Sequence, residues 1–171
     1  MHDGLRFTFF RMETLTEEFI FYFGPDSIYS HWYKSNFIIS KQDFCCVEQY
    51  LMYQKAILFK GADTAKKILN SSNPARHRHL GKQVAGFNKQ LWHQKCKQFA
   101  FDGELAKFYQ SRALKEKLLQ TIGKSFAEAS PYDRIWGIGL SMSNPKIFDR
   151  TQWRGRNWSG EVLELVRDKL C

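Results

Sequence analysis

The sequence has no pair of cysteines at metal-ligand spacing. Its four cysteines, Cys45, Cys46, Cys96 and Cys171, contain no Cys-x-x-Cys, so neither a zinc framework nor a disulfide framework is expected. Cys45 and Cys46 are adjacent and would project to opposite sides of an extended chain. His93 and Cys96 lie three apart and His77 and His79 two apart, and these do not assemble into four ligands. They read as structural or surface residues, and no metal or other cofactor is expected. Long apolar runs are also missing. The Phe7 to Phe10 run is too short for the core of a signal peptide, and no small-residue cleavage site follows it. Nothing approaches a membrane span, so a soluble cytoplasmic or nuclear protein is the expectation. Acidic residues are in deficit, 17 Asp+Glu against 26 Lys+Arg, which leaves a net charge of +9. That balance favours polyanionic partners through counterion release at phosphates, and it equally suits a cleft for a small phosphorylated substrate.

What remains is a chain of 171 residues, 43% hydrophobic, with no internal repeat, low-complexity tract or linker. It fits one domain with a sizeable core. Residues 1–17 carry no clear period and read as a variable lead-in to a domain spanning 18–171. Glu18 to Gly24 is rich in aromatics and ends at Gly-Pro, which marks a strand. Asn36 to Ser40 reads as a second strand, and the two suit a small antiparallel sheet. From Val47 the period becomes helical, with Tyr50, Tyr53, Ile57 and Leu58 recurring and Gly61 closing the segment. Further helices are expected over Asp63 to Leu69, Ala75 to Gln83 (short and basic), Asn88 to Phe101, Glu104 to Thr121 (one or two) and Ser159 to Leu170. The fold class is therefore mainly α (α+β): one helix-rich domain with a small antiparallel β element near the N-terminus.

One stretch, Glu128-Ala-Ser-Pro-Tyr-Asp-Arg-Ile-Trp-Gly-Ile-Gly-Leu140, gathers unlike side chains into few positions. It offers two carboxylates (Glu128, Asp133), a guanidinium (Arg134), an indole (Trp136) and two glycines (Gly137, Gly139). Such a set suits a flat, anionic ligand such as a nucleotide: a stacking face, an acid or base, and a phosphate clamp. Gly-Ile-Gly lacks the third glycine of a dinucleotide-binding loop. The competing reading is a short core strand over Ile135 to Leu140.

The same stretch resembles the signature of the NADAR family of YbiA-like N-glycosidases. Val47-Glu48-Gln49-Tyr50 with Gln54-Lys55-Ala56 is similar to the family's first helix. Trp153-Arg154-Gly155-Arg156-Asn157, followed by Gly160 and Val166-Arg167, is similar to its C-terminal block. The resemblance runs from about Tyr29 to Leu170. It implies hydrolysis of the bond between a ribose and an exocyclic amine of a guanine- or pyrimidinone-type base. The substrate would be ADP-ribose attached to guanine, free or in nucleic acid, or a ribosylamino pyrimidinone phosphate from riboflavin biosynthesis. The positive charge of the chain favours the first. A non-catalytic ADP-ribose or nucleic-acid binding module is the reading from a different class.

In this light Glu48, Lys55 and Asp133 are the catalytic candidates. Glu48 and Lys55 lie seven apart on the expected helix, on nearly one face and about 10 Å apart along the axis, so both can reach one ligand. Glu48 is placed as acid/base group, Asp133 as the carboxylate that stabilises charge or holds the ribose hydroxyls. Lys55 has two open roles, a Schiff-base nucleophile and a phosphate contact. The resemblance implies substrate contacts by Ser30, His31, Lys82, Trp92, Glu128, Arg134, Trp136, Gly137, Gly139, Trp153 and Asn157. Trp92 and Trp136 either sandwich the base or belong to the core. The sequence departs from the family pattern at His31, where Asn is usual, at Lys82 and Cys96, where Arg is usual, and at Trp158-Ser159. A nucleotide-type phosphorylated substrate, including ADP-ribosylated DNA or RNA, is the expected partner.

Overall fold

The computed structural model describes residues 13–171; the first part of the lead-in lies outside the described residues. Within it, Glu13–Leu15 forms a strand, β1, antiparallel to β2 (Phe19–Tyr22). β2 also pairs in parallel with β5 (Ser125–Glu128), giving the order β1-β2-β5. The second strand read from the sequence does not join this sheet. It is β3 (Phe37–Ile39), which forms a separate hairpin with β4 (Gln42–Phe44). Ser40 and Lys41 at its tip both have positive φ, 49° and 66°, the twist that a two-residue hairpin turn requires.

The helices are α1 (Val47–Leu58), α2 (Ala62–Leu69), α3 (Pro74–Lys82), α4 (Lys89–Gln110), α5 (Arg112–Leu119) and α6 (Trp158–Leu170). Side-chain caps set three of the starts. Asn73 Oδ1 accepts from the amides of Ala75 and Arg76, with Pro74 at the first helical position. Asn88 Oδ1 accepts from Leu91 N and Ser111 Oγ from Leu114 N. Where the sequence suggests a break near residue 102, α4 runs straight through Gly103 to Gln110 and the break falls at Ser111. A glycine inside a helix costs about 1 kcal/mol relative to alanine. Here it allows close packing: a Cβ on Gly103 would stand 2.9 Å from a Tyr50 ring carbon and 3.2 Å from Val47 Cγ1.

The main core lies where α6 covers the sheet and α4 packs on α6, around Ile20, Tyr22, Leu51, Phe108, Leu118, Phe126 and Leu163. Removing each such side chain from water stabilises the fold by about 1.5–3 kcal/mol. Parallel pairing leaves β2 buried on both faces, which accounts for its unbroken run Phe-Ile-Phe-Tyr. α1 packs on α2, α3 and α4, so its first turns sit at the centre of the molecule. Residues 135–140 are not a strand. They form an irregular loop whose Ile138 and Leu140 enter a second core cluster with Phe19, Phe21 and Ile147.

Candidate active site

Four segments distant in sequence meet around one cavity of about 160 Å³. α1 contributes Glu48, Leu51, Met52 and Lys55, and α3 contributes Arg78, Gly81 and Lys82. The loop after β2 adds Ser30, His31 and Trp32, and the end of β5 with its loop adds Glu128, Asp133 and Trp136. Gly81 sets how close α3 comes to α1, since a Cβ there would overlap the Met52 side chain.

Glu48 stands in the first turn of α1, and its amide donates to the His31 carbonyl at 2.9 Å. The side chain is 7% exposed. Burial pushes its carboxyl up to about 7, and Asp133 adds to that; the Arg78 guanidinium, the Trp32 side chain and Lys55 pull the other way. Glu128 is a second perturbed acid. Burial raises it to about 8, and the charges of Asp133 and Glu48 push in the same direction against Arg78 and Ser159. Two carboxyl groups with these shifts hold protons near neutral pH, as a general acid must.

Asp133 is committed differently. Its Oδ1 accepts from the amides of Ile135 (2.9 Å) and Trp136 (2.8 Å), an Asx turn that shapes the loop. Its Oδ2 lies 3.6 Å from Arg78 Nη2. One oxygen therefore holds the backbone that carries Trp136, and the other holds a cation at the cavity. Lys55 Nζ lies 4.2 Å from the Phe87 ring centroid and 5.5 Å from that of Trp92. Burial lowers its pKa, Glu48 and Cys96 oppose this, and Lys82 adds to it.

His31 is buried and edge-on to Trp136, with ring centroids 5.2 Å apart. Burial, with some help from the Lys107 charge, pushes its imidazole down to about 3, so it is neutral. Behind it Lys107, fully buried, donates to the Ser30 carbonyl (3.1 Å) and to Glu104 Oε2 (3.0 Å). This pair fixes the floor of the loop that carries Ser30 and His31.

Of the residues expected at the site, Ser30, His31, Glu48, Lys55, Lys82, Glu128, Asp133 and Trp136 line the cavity. The others stand behind it. Trp92 is buried in the core beside Phe99 and supports Lys55 from below; it does not face Trp136 across the cavity. Arg134 is exposed, and Arg78 occupies the position of the guanidinium instead. A Cβ on Gly137 would meet the Glu128 carbonyl at 2.9 Å and the Asp133 carbonyl at 3.0 Å, and Gly139 has φ of +71°. Trp153 donates to the Ile147 carbonyl at 2.8 Å and packs against Phe19. Asn157, with φ of 57°, accepts from Glu128 N (3.1 Å) and donates to the Phe126 carbonyl (2.7 Å). It thereby pins the start of α6 to the strand that ends in Glu128.

Sequence reasoning missed Arg78 and Trp32. Arg78 is adjacent to the buried set Pro74, His77, Leu80 and Gly81 of α3, whose three- and four-residue spacing is the signal that could have oriented the helix. It also kept Cys45, Cys46 and His77 apart. In the structure Cys45 Sγ is 4.0 Å from Cys46 Sγ, and Cys46 Sγ is 3.7 Å from His77 Nδ1.

Comparison with known proteins follows this geometry. The family profile described as NADAR domain matches residues 18–171. The chain is 36% identical over 174 residues to Protein irg-1 of Caenorhabditis elegans, covering 92% of this chain and 82% of that one. It is 33% identical over 165 residues to N-glycosidase R617 of Acanthamoeba polyphaga mimivirus, covering 90% and 97%. The NMR structure of the E. coli protein YbiA superposes with a TM-score of 0.74 over 94% of this chain and 89% of that one, at 20% identity; that likeness is one of fold. Among the described residues no helix is long and apolar enough to cross a membrane.

Proposed function

The chain belongs to the NADAR domain family, and from that membership and the chemistry of the cavity we propose that it is an N-glycosyl hydrolase, cleaving the bond between a ribose and an exocyclic amine of a guanine- or pyrimidinone-type base. The observation that carries this reading is the buried Glu48 carboxyl, raised to about 7 and sharing one cavity with Glu128, raised to about 8. Glu48 protonates the leaving amine. Positive charge then develops at the anomeric carbon, and the Asp133 carboxylate, which lines the same cavity, stabilises it. Water supplies the hydroxyl on that carbon and gives up the proton that restores Glu48. The C–N bond breaks, a C–O bond forms, and the products are the free amine and the ribose.

Arg78, Lys82 and Lys55 give the cavity three cations, suited to a phosphorylated substrate. With the net charge of +9, they favour ADP-ribose on guanine, free or in nucleic acid. A second reading, a ribosylamino pyrimidinone phosphate, is favoured by the cavity's size of about 160 Å³. That is below the roughly 300–1,000 Å³ of sites enclosing a drug-sized ligand, so most of a larger substrate would remain outside.

The test is parallel incubation of the purified protein with ADP-ribosylated guanine DNA and with the ribosylamino pyrimidinone phosphate. Release of free base or amine is followed by mass spectrometry. Turnover is expected on both, faster on the first; the reverse order would assign the second substrate. Binding of ADP-ribose with no turnover of either compound would make the protein a binding module and overturn the hydrolase reading.

A further inference from the structure

Away from the cavity, three soft donors converge where β4 runs into α1. Cys45 follows β4, Cys46 is the N-cap of α1, and His77 lies in α3. The two sulfurs are 4.0 Å apart, Cys46 Sγ is 3.7 Å from His77 Nδ1, and all three donor atoms lie within 4.8 Å of one another. A cation bonded to two thiolates at about 2.3 Å and to an imidazole nitrogen at about 2.0 Å spans ligand–ligand edges of about 3.6–4.0 Å. Two of the three edges, 4.0 and 3.7 Å, match that figure, and the third is within 4.8 Å.

The surroundings aim the donors. His77 Nε2 is 2.8 Å from the Ser71 carbonyl, which only accepts, so Nε2 carries the hydrogen. His77 is fully buried, and with the hydrogen on Nε2 the lone pair of Nδ1 faces Cys46. This outer hydrogen bond is the kind that fixes a metal-binding histidine. The same Ser71 carbonyl accepts from Gln49 Nε2 at 2.9 Å, and Gln49 Oε1 accepts from Cys45 N at 2.7 Å. One glutamine of α1 thus ties the backbone of one ligand to the carbonyl that orients another. Cys45 is half-buried while Cys46 and His77 are sealed, which leaves one side open for entry.

We propose that Cys45, Cys46 and His77 form a binding site for a thiophilic d10 cation, zinc(II) or copper(I), which clamps α1 to α3. Two S–H bonds are replaced by two S–metal bonds, His77 Nδ1 supplies the third, and two protons leave to solvent. The two metals share this ligand chemistry. Zinc(II) would complete four-coordination with a water on the Cys45 side, and copper(I) is satisfied by three soft donors. The consequence lies in position: Glu48 is two residues beyond Cys46, and Arg78 is the residue after His77. A bound cation would therefore fix the spacing of two groups that face the cavity.

The experiment uses the full chain, reduced and stripped of metal. Zinc(II) and copper(I) are titrated separately against competing chromophoric chelators, and cobalt(II) serves as the spectroscopic substitute for zinc. One equivalent of at least one d10 ion is expected to bind, with Tm rising on binding and the alkylation of Cys45 by iodoacetamide blocked. Cobalt(II) should give a near-ultraviolet thiolate charge-transfer band. Cys45→Ser, at a half-exposed position where folding is checked by circular dichroism, should lower affinity at least 100-fold and abolish the band. Cys171→Ser should change neither. Absence of stoichiometric binding by both ions overturns the proposal, and so does an unchanged affinity in folded Cys45→Ser. None of these readouts depends on hydrolysis.

Discussion

Arg78 Nη2 lies 3.6 Å from Asp133 Oδ2 and so links α3 to the loop after β5. Arg78 is 48% exposed and Asp133 18%. For stability such a half-exposed pair is worth little, about 0–1 kcal/mol. Its importance is to the cavity, where Arg78 opposes the upward shifts of both Glu48 and Glu128.

Replacing it should therefore register in the pH profile. Arg78→Met is expected to lower kcat/KM about tenfold, the loss of roughly 1.4 kcal/mol of charge-assisted contact. An acid that must be protonated loses activity as pH rises through its pKa. Without Arg78 that pKa is higher, so the alkaline limb of the profile should move to higher pH. A profile with an unmoved limb would detach Arg78 from the acid groups.

Glu48→Gln keeps the size of the side chain and removes its proton. A rate loss on the order of 10²-fold or more is expected, as for removal of a general acid, with Tm no lower than that of the wild type. Near-normal turnover by the folded variant would move the acid role to Glu128, the other raised carboxyl of the cavity.

The first half of the site was legible in the sequence and the second only in outline. Glu48 and Lys55 share a helix face because seven residues make about two turns, and both line the cavity. Of the Glu128 to Leu140 stretch, Glu128, Asp133 and Trp136 line the cavity. Arg134 faces solvent, and Arg78, from a helix that looked merely basic, takes its place. Local pattern places a residue on a helix, while the packing of that helix decides what it meets. β5 was missed for a related reason. Its four residues carry no alternation, and it exists through pairing with β2 far upstream. Gly137, Gly139, Trp153 and Asn157 do not line the cavity but hold its backbone, a distinction that spacing cannot draw.

Lys55 separates two chemical routes. Burial lowers its pKa, which frees part of the amine to attack the anomeric carbon of an opened ribose and expel the base. Borohydride added during turnover should then leave a ribose-derived mass on Lys55 and inactivate the enzyme. Lys55→Arg keeps a cation and loses this chemistry, so on the covalent route a drop of 10²-fold or more is expected. If the variant stays active and borohydride traps nothing, Lys55 is a charge contact and Glu48 with Asp133 carries direct attack by water.

Glu128 should limit stability in alkaline solution. Its folded pKa of about 8 is above the unfolded value of about 4.3. The folded state thus holds a proton that the unfolded state releases; the benefit is complete below about 4.3 and lost as pH rises through about 8. Glu128→Gln has nothing to lose in that window. Its Tm should exceed that of the wild type by more at pH 8 than at pH 5, with about 2–4 °C for each kcal/mol relieved. Equal differences at the two pH values in thermal melts would place the proton elsewhere.

The parallel pairing of Phe19–Tyr22 with Ser125–Glu128 also sets an order of events during synthesis. For more than a hundred residues after β2 is made, β1 is its one partner among the described residues, and Phe21 and Tyr22, sealed in the finished molecule, lack β5 beside them. A nascent chain in that state presents an aromatic strand edge, the kind of surface that aggregates or engages a chaperone. Glu48 and Lys55 are already made by then, whereas Glu128 arrives with the closing strand. A chain stalled before that point would carry ten of the thirteen cavity-lining residues and lack Glu128, Asp133 and Trp136, so on the proposed hydrolase reading activity reports completion of the sheet.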